Sequence, residues 1–282
     1  MDLPMTPETP ALSAEDIRIE AFTPDHLQGG LRLSQAVSWP HRIEDWALNL
    51  SVSEGVVACA DGAVVGTALC SPFGEVATLN MIIVDGRMQG RGLGRKLMER
   101  IIALGGDREL RLVATAEGQP LYEKLGFMAT GRILQHQGLP RPATPELPVR
   151  TGSAADAARL AQMDHAASNM SREGLITTIA TQGEVLLADA GFAILRDFGR
   201  GKVLGPVVAG DTATARALMA EAATRCAGTF LRIDLTEAAS LSDHAETLGL
   251  AHVGGGTAMR KAPRPAEGSG LTTYALVSQA LG

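Results

Sequence analysis

Apolar and polar residues alternate with a period of two over 17–22 (IRIEAF), the pattern of a half-buried strand. Thr23-Pro24-Asp25 offers a helix cap and a proline for the first turn, and a helix is expected over 25–37. A second short helix follows the Pro40 break, over 42–50. Asp61-Gly62 separates two apolar runs, 54–60 and 63–70, and predicts a tight hairpin. The pattern continues with a strand over 75–84, a glycine-rich turn over 85–90 and a helix over 92–104 closed by Gly105-Gly106. A strand over 110–114, a short helix over 120–125 stopped by Gly126, and a strand over 127–136 complete the first half. The order β-α-α-β-β-β-α-β-α-β places the chain in the α/β class, as a mixed sheet with helices packed on it.

Residues 137–148 (QGLPRPATPELP) hold four prolines and read as a semi-rigid linker. Beyond it the same order recurs. Strands are expected at 147–150, 185–188, 192–196, 203–208, 230–235 and after Gly249, with helices from Ser153, over 172–182, over 212–226 and over 238–248. Short matches support a duplication. Arg95-Lys96-Leu97-Met98 aligns with Arg216-Ala217-Leu218-Met219, and Leu110-Arg111-Leu112 with Leu231-Arg232-Ile233, both at an offset of 121. Leu125-Gly126-Phe127 aligns with Leu248-Gly249-Leu250 at 123. The division is therefore a first domain over 15–138, a linker over 139–146, a second domain over 147–262 and a tail over 263–282. The tail is Pro/Gly-rich at first, with a short helix expected over 274–281.

At 282 residues the chain has room for two domains. A net charge of 25 − 31 = −6 argues against a nucleic-acid partner. The longest apolar runs fall far short of the roughly 20 residues of a membrane span, and the acidic, Pro-rich first 16 residues do not read as a signal peptide. Cys59, Cys70 and Cys226 are odd in number and lack C-x-x-C spacing, so no disulfide framework or zinc site is expected. The histidines show no metal-ligand spacing, and no metal is expected. A cytoplasmic protein, neither membrane-bound nor nucleic-acid-binding, is the reading.

The informative segment is 81–98, MIIVDGRMQGRGLGRKLM. An apolar strand runs into Gln89-Gly90-Arg91-Gly92-Leu93-Gly94, and an amphipathic helix follows. Glycines at alternate positions let the backbone approach a ligand and present successive N–H groups at a helix N-terminus, where an anion is favoured. Arg87, Arg91 and Arg95 add positive charge. The physical reading is a pyrophosphate cradle. Two alternatives stand beside it: a turn that only packs strand on helix, and a dinucleotide site, although Gly90-x-Gly92-x-x-Arg95 lacks the third glycine of that fingerprint.

Gln89-x-x-Gly92-x-Gly94 resembles the Q/R-x-x-G-x-G/A signature of the GNAT acetyltransferase superfamily, and Leu121-Tyr122-Glu123-Lys124-Leu125-Gly126-Phe127 is similar to its second hallmark. The whole chain resembles the bacterial tandem group in which an intact GNAT domain precedes a degenerate one. The resemblance implies acetyl-CoA as co-substrate and direct transfer of its acetyl group to an amine, from a small molecule or a peptide. It implies that Gln89, Gly90, Arg91, Gly92, Leu93, Gly94 and Arg95 hold the pyrophosphate. It also implies that Ile82, Ile83 and Val84 pair with the pantetheine arm, and that Tyr122 is the general acid. Both motifs precede Pro140, so acetyl-CoA is expected to bind the first half by itself.

The general base is less legible. The strand before the cradle, 75–80, carries no carboxylate in its middle; Glu75 opens it, and Asn80 or Thr78 could hold a relay water. His41 and Glu44 could line the acceptor side, while Trp39 and Trp46 suit core packing. In the second half, Gly210-Asp211-Thr212-Ala213-Thr214-Ala215 stands opposite the cradle without alternating glycines, and Ala245 stands opposite Tyr122. His165, His244 and His252 read as surface or capping residues, Gly254-Gly255-Gly256 as a bulge, and Asp164 and Arg172 could face the cleft between the halves. An N-acetyltransferase with one degenerate domain is the leading function. A non-catalytic acetyl-CoA sensor or scaffold is the alternative.

Overall fold

The period-two runs of the first half become strands with their apolar faces turned onto amphipathic helices. In a computed structural model describing residues 17–265 and 268–282, the first half runs β1 (Arg18–Ala21), α1 (Leu27–Ala36), α2 (Ile43–Ser51), β2 (Glu54–Ala60), β3 (Ala63–Phe73), β4 (Val76–Val84), α3 (Leu93–Gly105), β5 (Glu109–Ala114), α4 (Gln119–Lys124) and β6 (Met128–Gly138). The leader discussed above lies outside the described residues. Leu97, Met98 and Ile101 of α3 are fully buried against Ala58, Val65, Ala77 and Leu79 of the sheet. On the opposite face Trp46 of α2 is buried and stacks on Phe22 at 5.7 Å, which makes it a core residue.

The second half repeats the order as β7 (Arg150–Thr151), α5 (Ala157–Ser168), α6 (Glu173–Gln182), β8 (Glu184–Ala188), β9 (Gly191–Phe198), β10 (Gly201–Ala209), α7 (Thr212–Arg225), β11 (Leu231–Thr236), α8 (Ser242–Thr247) and β12 (Ala251–Lys261). Register shifts on β12 between His252 and Gly254 agree with a bulge at the glycine run. One expectation fails. The tail forms no helix over 274–281; Thr272–Ala275 is a thirteenth strand, β13. Two threonines and a tyrosine suit a strand flanked by partners, and partners are available here.

All thirteen described strands join one sheet in the order β1-β2-β3-β4-β5-β12-β6-β11-β13-β10-β9-β8-β7. The halves exchange strands. β12 of the second half lies antiparallel on β5, with Met259 opposite Leu112. β6 of the first half lies antiparallel on β11, with His136 opposite Ile233. The two exchanged strands pair with each other. Hairpins are also exchanged. Ser171 N–H, between α5 and α6, donates to Phe73 O at 3.1 Å, and Gly199 N–H donates to Oδ2 of Asp45, in the first turn of α2, at 3.0 Å, so a β-hairpin tip of each half docks on the helices or helix connection of the other.

The exchange changes what the first half can do alone. A chain cut after Gly138 bares the β5 edge at 110–114 and leaves β6 without either neighbour. That fragment is expected to lack a cooperative thermal transition or to associate, as read by circular dichroism and gel filtration. A monomeric, cooperatively melting fragment would contradict the fold-wide importance of the exchange.

Candidate active site

β4 and β5 run parallel only from Val76–Glu109 to Thr78–Arg111, and then separate. The cause lies in β4. Met81 takes a left-handed conformation (φ 49°), which for a non-glycine residue costs about 1–3 kcal/mol. The register against β3 slips there, Thr67 facing Ile83 and Leu69 facing Asn80, and the Thr67 hydroxyl donates to Met81 O at 2.7 Å. β4 is thus turned away from β5, and the backbone of Ile82, Ile83 and Val84 meets β3 on one side and no strand on the other. An extended ligand can add to that edge.

The cradle follows. Gly90 and Gly92 have φ of 75° and 76°, Gly92 caps the N-terminus of α3, and a Cβ at either glycine would meet nothing within 4 Å. The first amides of α3, from Leu93 and Gly94 on, have no helical carbonyl to bond, the chemistry that suits an anion. A Cβ at Gly94 would lie 3.6 Å from Leu121 of α4, so the cradle and the second motif adjoin. The arginines are partly committed: Arg87 pairs with Asp85 at 2.8 Å, holding that carboxyl near pKa 2, and Arg95 lies 3.6 Å from Glu99.

Tyr122 sits on α4 with 7% of its surface exposed, packed at 6.3 Å against the Phe127 ring and against Gly118, where a Cβ would lie 3.1 Å from its hydroxyl. Burial pushes its phenol up to about pKa 12, so it carries its proton throughout the neutral range.

The separation of β4 from β5 opens on the face away from α3 into a cavity of about 900 Å³. Its lining begins at Thr78 and Arg111, the last pair of the parallel ladder, and continues over Thr130, Gly131, Ile133 and Met259. The second half supplies the other wall: 165–170, the last turn of α5 and the two residues after it, and residues between Leu271 and Gly282 of the tail. Arg172 holds that wall. Its guanidinium donates to Asp164 at 2.6 and 2.8 Å, and to Leu281 O at 2.6 Å and Gly282 O at 2.7 Å, with both charged side chains fully buried.

The expected base candidates separate. Asn80 is buried and is not in the cavity lining; its amide donates to Ser71 Oγ at 2.9 Å and its Oδ1 has no partner among the described residues. Glu75 is exposed at the opposite end of β4, ion-paired with Arg264, and the structure does not bring it to the opening. His41 is not in the cavity lining either; it is buried between Trp39 and Phe198, where desolvation lowers its pKa to about 4. His165 is exposed, as the sequence reading has it, and it also lines the cavity. Only the exchange of elements between the halves puts it there, and no local signal reveals that.

In the second half the corresponding places are filled. β10 and β11 also pair only briefly, at 202–204 and 231–233, before separating. β13 enters the gap, pairing with β10 at Val207–Ala275 and with β11 at Leu235–Ala275. Val203 faces Arg232 as Thr78 faces Arg111, so Gly205 holds the place of Asn80, and a Cβ there would collide with Leu276 O. At the head of α7, Asp211 accepts from Thr214 N–H at 2.7 Å and so places the chain's own carboxylate where the first half leaves an anion site.

Among known families, the acetyltransferase (GNAT) domain matches residues 52–129 and, separately, 160–274. The uncharacterized N-acetyltransferase YitH of Bacillus subtilis (strain 168) is 33% identical over 116 residues, which cover 40% of this chain and 41% of that protein. A putative acetyltransferase from Pyrococcus horikoshii shares the fold with a TM-score of 0.83 at 21% identity, covering 99% of this chain and 100% of that one. A GCN5-related N-acetyltransferase from Sphaerobacter thermophilus does so with 0.65 at 17%, covering 92% and 99%. No helix among the described residues is long and apolar enough to cross a membrane.

Gly92→Asp or Gly94→Asp puts a carboxylate where the pyrophosphate of coenzyme A would approach. Each is expected to abolish coenzyme A binding in calorimetric titration, whereas Ala213→Asp at the matching place of the second half leaves it unchanged. Equal losses at both places would show that the cradle is wrongly assigned.

Proposed function

Because the chain belongs to the GNAT acetyltransferase superfamily, with two such domains in tandem, we propose that it is an N-acetyltransferase whose first half moves the acetyl group of acetyl-CoA to an amine by direct attack. The observation that carries this reading is the single opening between β4 and β5, with an anion cradle at one end, a protonated tyrosine beside it and a cavity on the other face. Acetyl-CoA supplies the activated acetyl group, as a thioester. The α3 N-terminus would hold its pyrophosphate, from Gln89 to Arg95, and the unpaired edge of Ile82–Val84 would hold its pantetheine arm. An N–H on that edge would polarise the thioester carbonyl.

The amine would enter from the cavity at Thr78. Its lone pair forms the new C–N bond as the C–S bond breaks. Asn80 Oδ1, buried without a partner two residues beyond Thr78, would accept a hydrogen bond from the amine or from a water that takes its proton. The departing thiolate takes the Tyr122 proton, and solvent returns one to the phenol. A small-molecule or peptide amine handled in the cytoplasm is the expected setting, with no metal required.

Tyr122→Phe removes the hydroxyl and keeps the ring packing. Turnover is expected to fall on the order of 10²–10⁴-fold while acetyl-CoA affinity holds, because the thiolate charge develops only in the transition state. A non-catalytic acetyl-CoA sensor would instead show no transfer by the parent protein across an amine panel. A substitution that weakens coenzyme A binding and spares turnover would reduce Tyr122 to a positioning residue.

A further inference from the structure

The cavity is cationic although the chain is not. Its lining includes Arg111, Arg260 and His165, and no Asp or Glu side chain among the described residues. Both arginines share one carboxylate. Glu109, fully buried, lies 2.6 Å from Arg111 and 3.3 Å from Arg260, and its other oxygen accepts from Arg264 N–H at 2.8 Å. Among the described residues, two guanidinium groups thus share one carboxylate beside the cavity, Arg111 also donating to Ser168 O at 2.7 Å, in a protein of net charge −6. The Gly282 oxygen reaching this region accepts from Arg172 and from Val277 N–H, and so is met within the wall.

The duplicated half provides an internal control. Arg232 aligns with Arg111 at the 121-residue offset, and there Asp234, two residues on, accepts from Arg232 at 2.9 Å. The residue aligned with Asp234 is Val113, which lines the cavity. In the second half Arg232 thus has a carboxylate two residues after it, whereas in the first half Arg111 has one two residues before it, Glu109, and shares it with Arg260. Thr273 also lines the cavity, and its hydroxyl, buried behind that surface, has no partner among the described residues.

We propose that the acceptor is an amine that also carries an anionic group, a carboxylate or a phosphate, which Arg111 and Arg260 hold while the amine reaches the opening at Thr78. This rests on the transferase reading above and names its substrate class. A guanidinium matches such a group in charge and in planar geometry, and in a cavity walled by the two halves the match is worth more than on an open surface.

The test uses the full chain in a thiol-release assay. Amino acids are compared with their amides, and aminoalkyl phosphates with the parent amino alcohols, so that the two arms separate carboxylate from phosphate. The anionic member of at least one series is expected to have kcat/KM higher by about tenfold or more. Arg260→Gln and Val113→Asp should each erase that preference; they lie on different strands, so a fold defect in one leaves the other as the test. In parallel, inorganic phosphate is titrated calorimetrically with coenzyme A saturating, and its binding is expected to weaken in both variants. Preference for the neutral amines, or phosphate binding indifferent to both substitutions, would overturn the proposal. Phosphate binding that depends on Arg260, without acetylation of any amine, would sustain the anion site and overturn the transferase reading instead.

Discussion

A strand turned away from its neighbour leaves backbone N–H and C=O groups that need partners, and this constraint organises the molecule. Both halves end a parallel ladder early, at Thr78–Arg111 and at Leu204–Ile233. Beyond those pairs the edge must be hydrogen-bonded by something else or stay wet. In the second half, β13 supplies the missing strand from the same chain. In the first half no strand does, and the glycines before α3 keep the approach clear. One fold thus appears twice, once with its slot filled and once with it open, and the difference follows from a four-residue strand and one aspartate.

The filled slot also does something for the open one. After β13 the chain passes Gly205, is held by Arg196 through Val277 O at 3.2 Å and by Arg172 through its last two carbonyls, and ends as a wall of the cavity beside Thr78. One wall of that cavity is therefore built from the second half. The exchange of β6 and β12 ties the two walls into one sheet, so their spacing is set by backbone ladders instead of by a side-chain interface. The Arg172–Asp164 pair is buried on both sides, and losing one partner there would leave a charge uncompensated, at a cost of about 3–5 kcal/mol.

Much of this was legible in the residues. Alternation and turn chemistry locate nearly every strand and helix to within a few positions, and the glycines at 90 and 92 mark the turn into α3 because both take a left-handed backbone. What failed depends on distant contacts. Thr272–Ala275 reads as helix or loop in isolation and becomes a strand because two unpaired edges await it. The strand exchange has no local signature, since β6 and β12 would look the same paired within their own halves. Glu75 was attractive as a carboxylate near the right strand, but a nine-residue strand places its ends far apart, and the structure pairs it with Arg264. Arg111 and Arg260 lie 149 residues apart and share Glu109 only in the folded sheet.

The central claim is that the chain carries one usable slot and one that its own strand occupies. Isothermal titration of the full-length protein with acetyl-CoA measures this directly. The account predicts one molecule bound per chain, with an affinity that Asp211→Asn does not alter. A stoichiometry of two would mean that β13 yields to the ligand and that the second half is not closed; no binding at all would mean that the open edge of β4 is not a coenzyme A site.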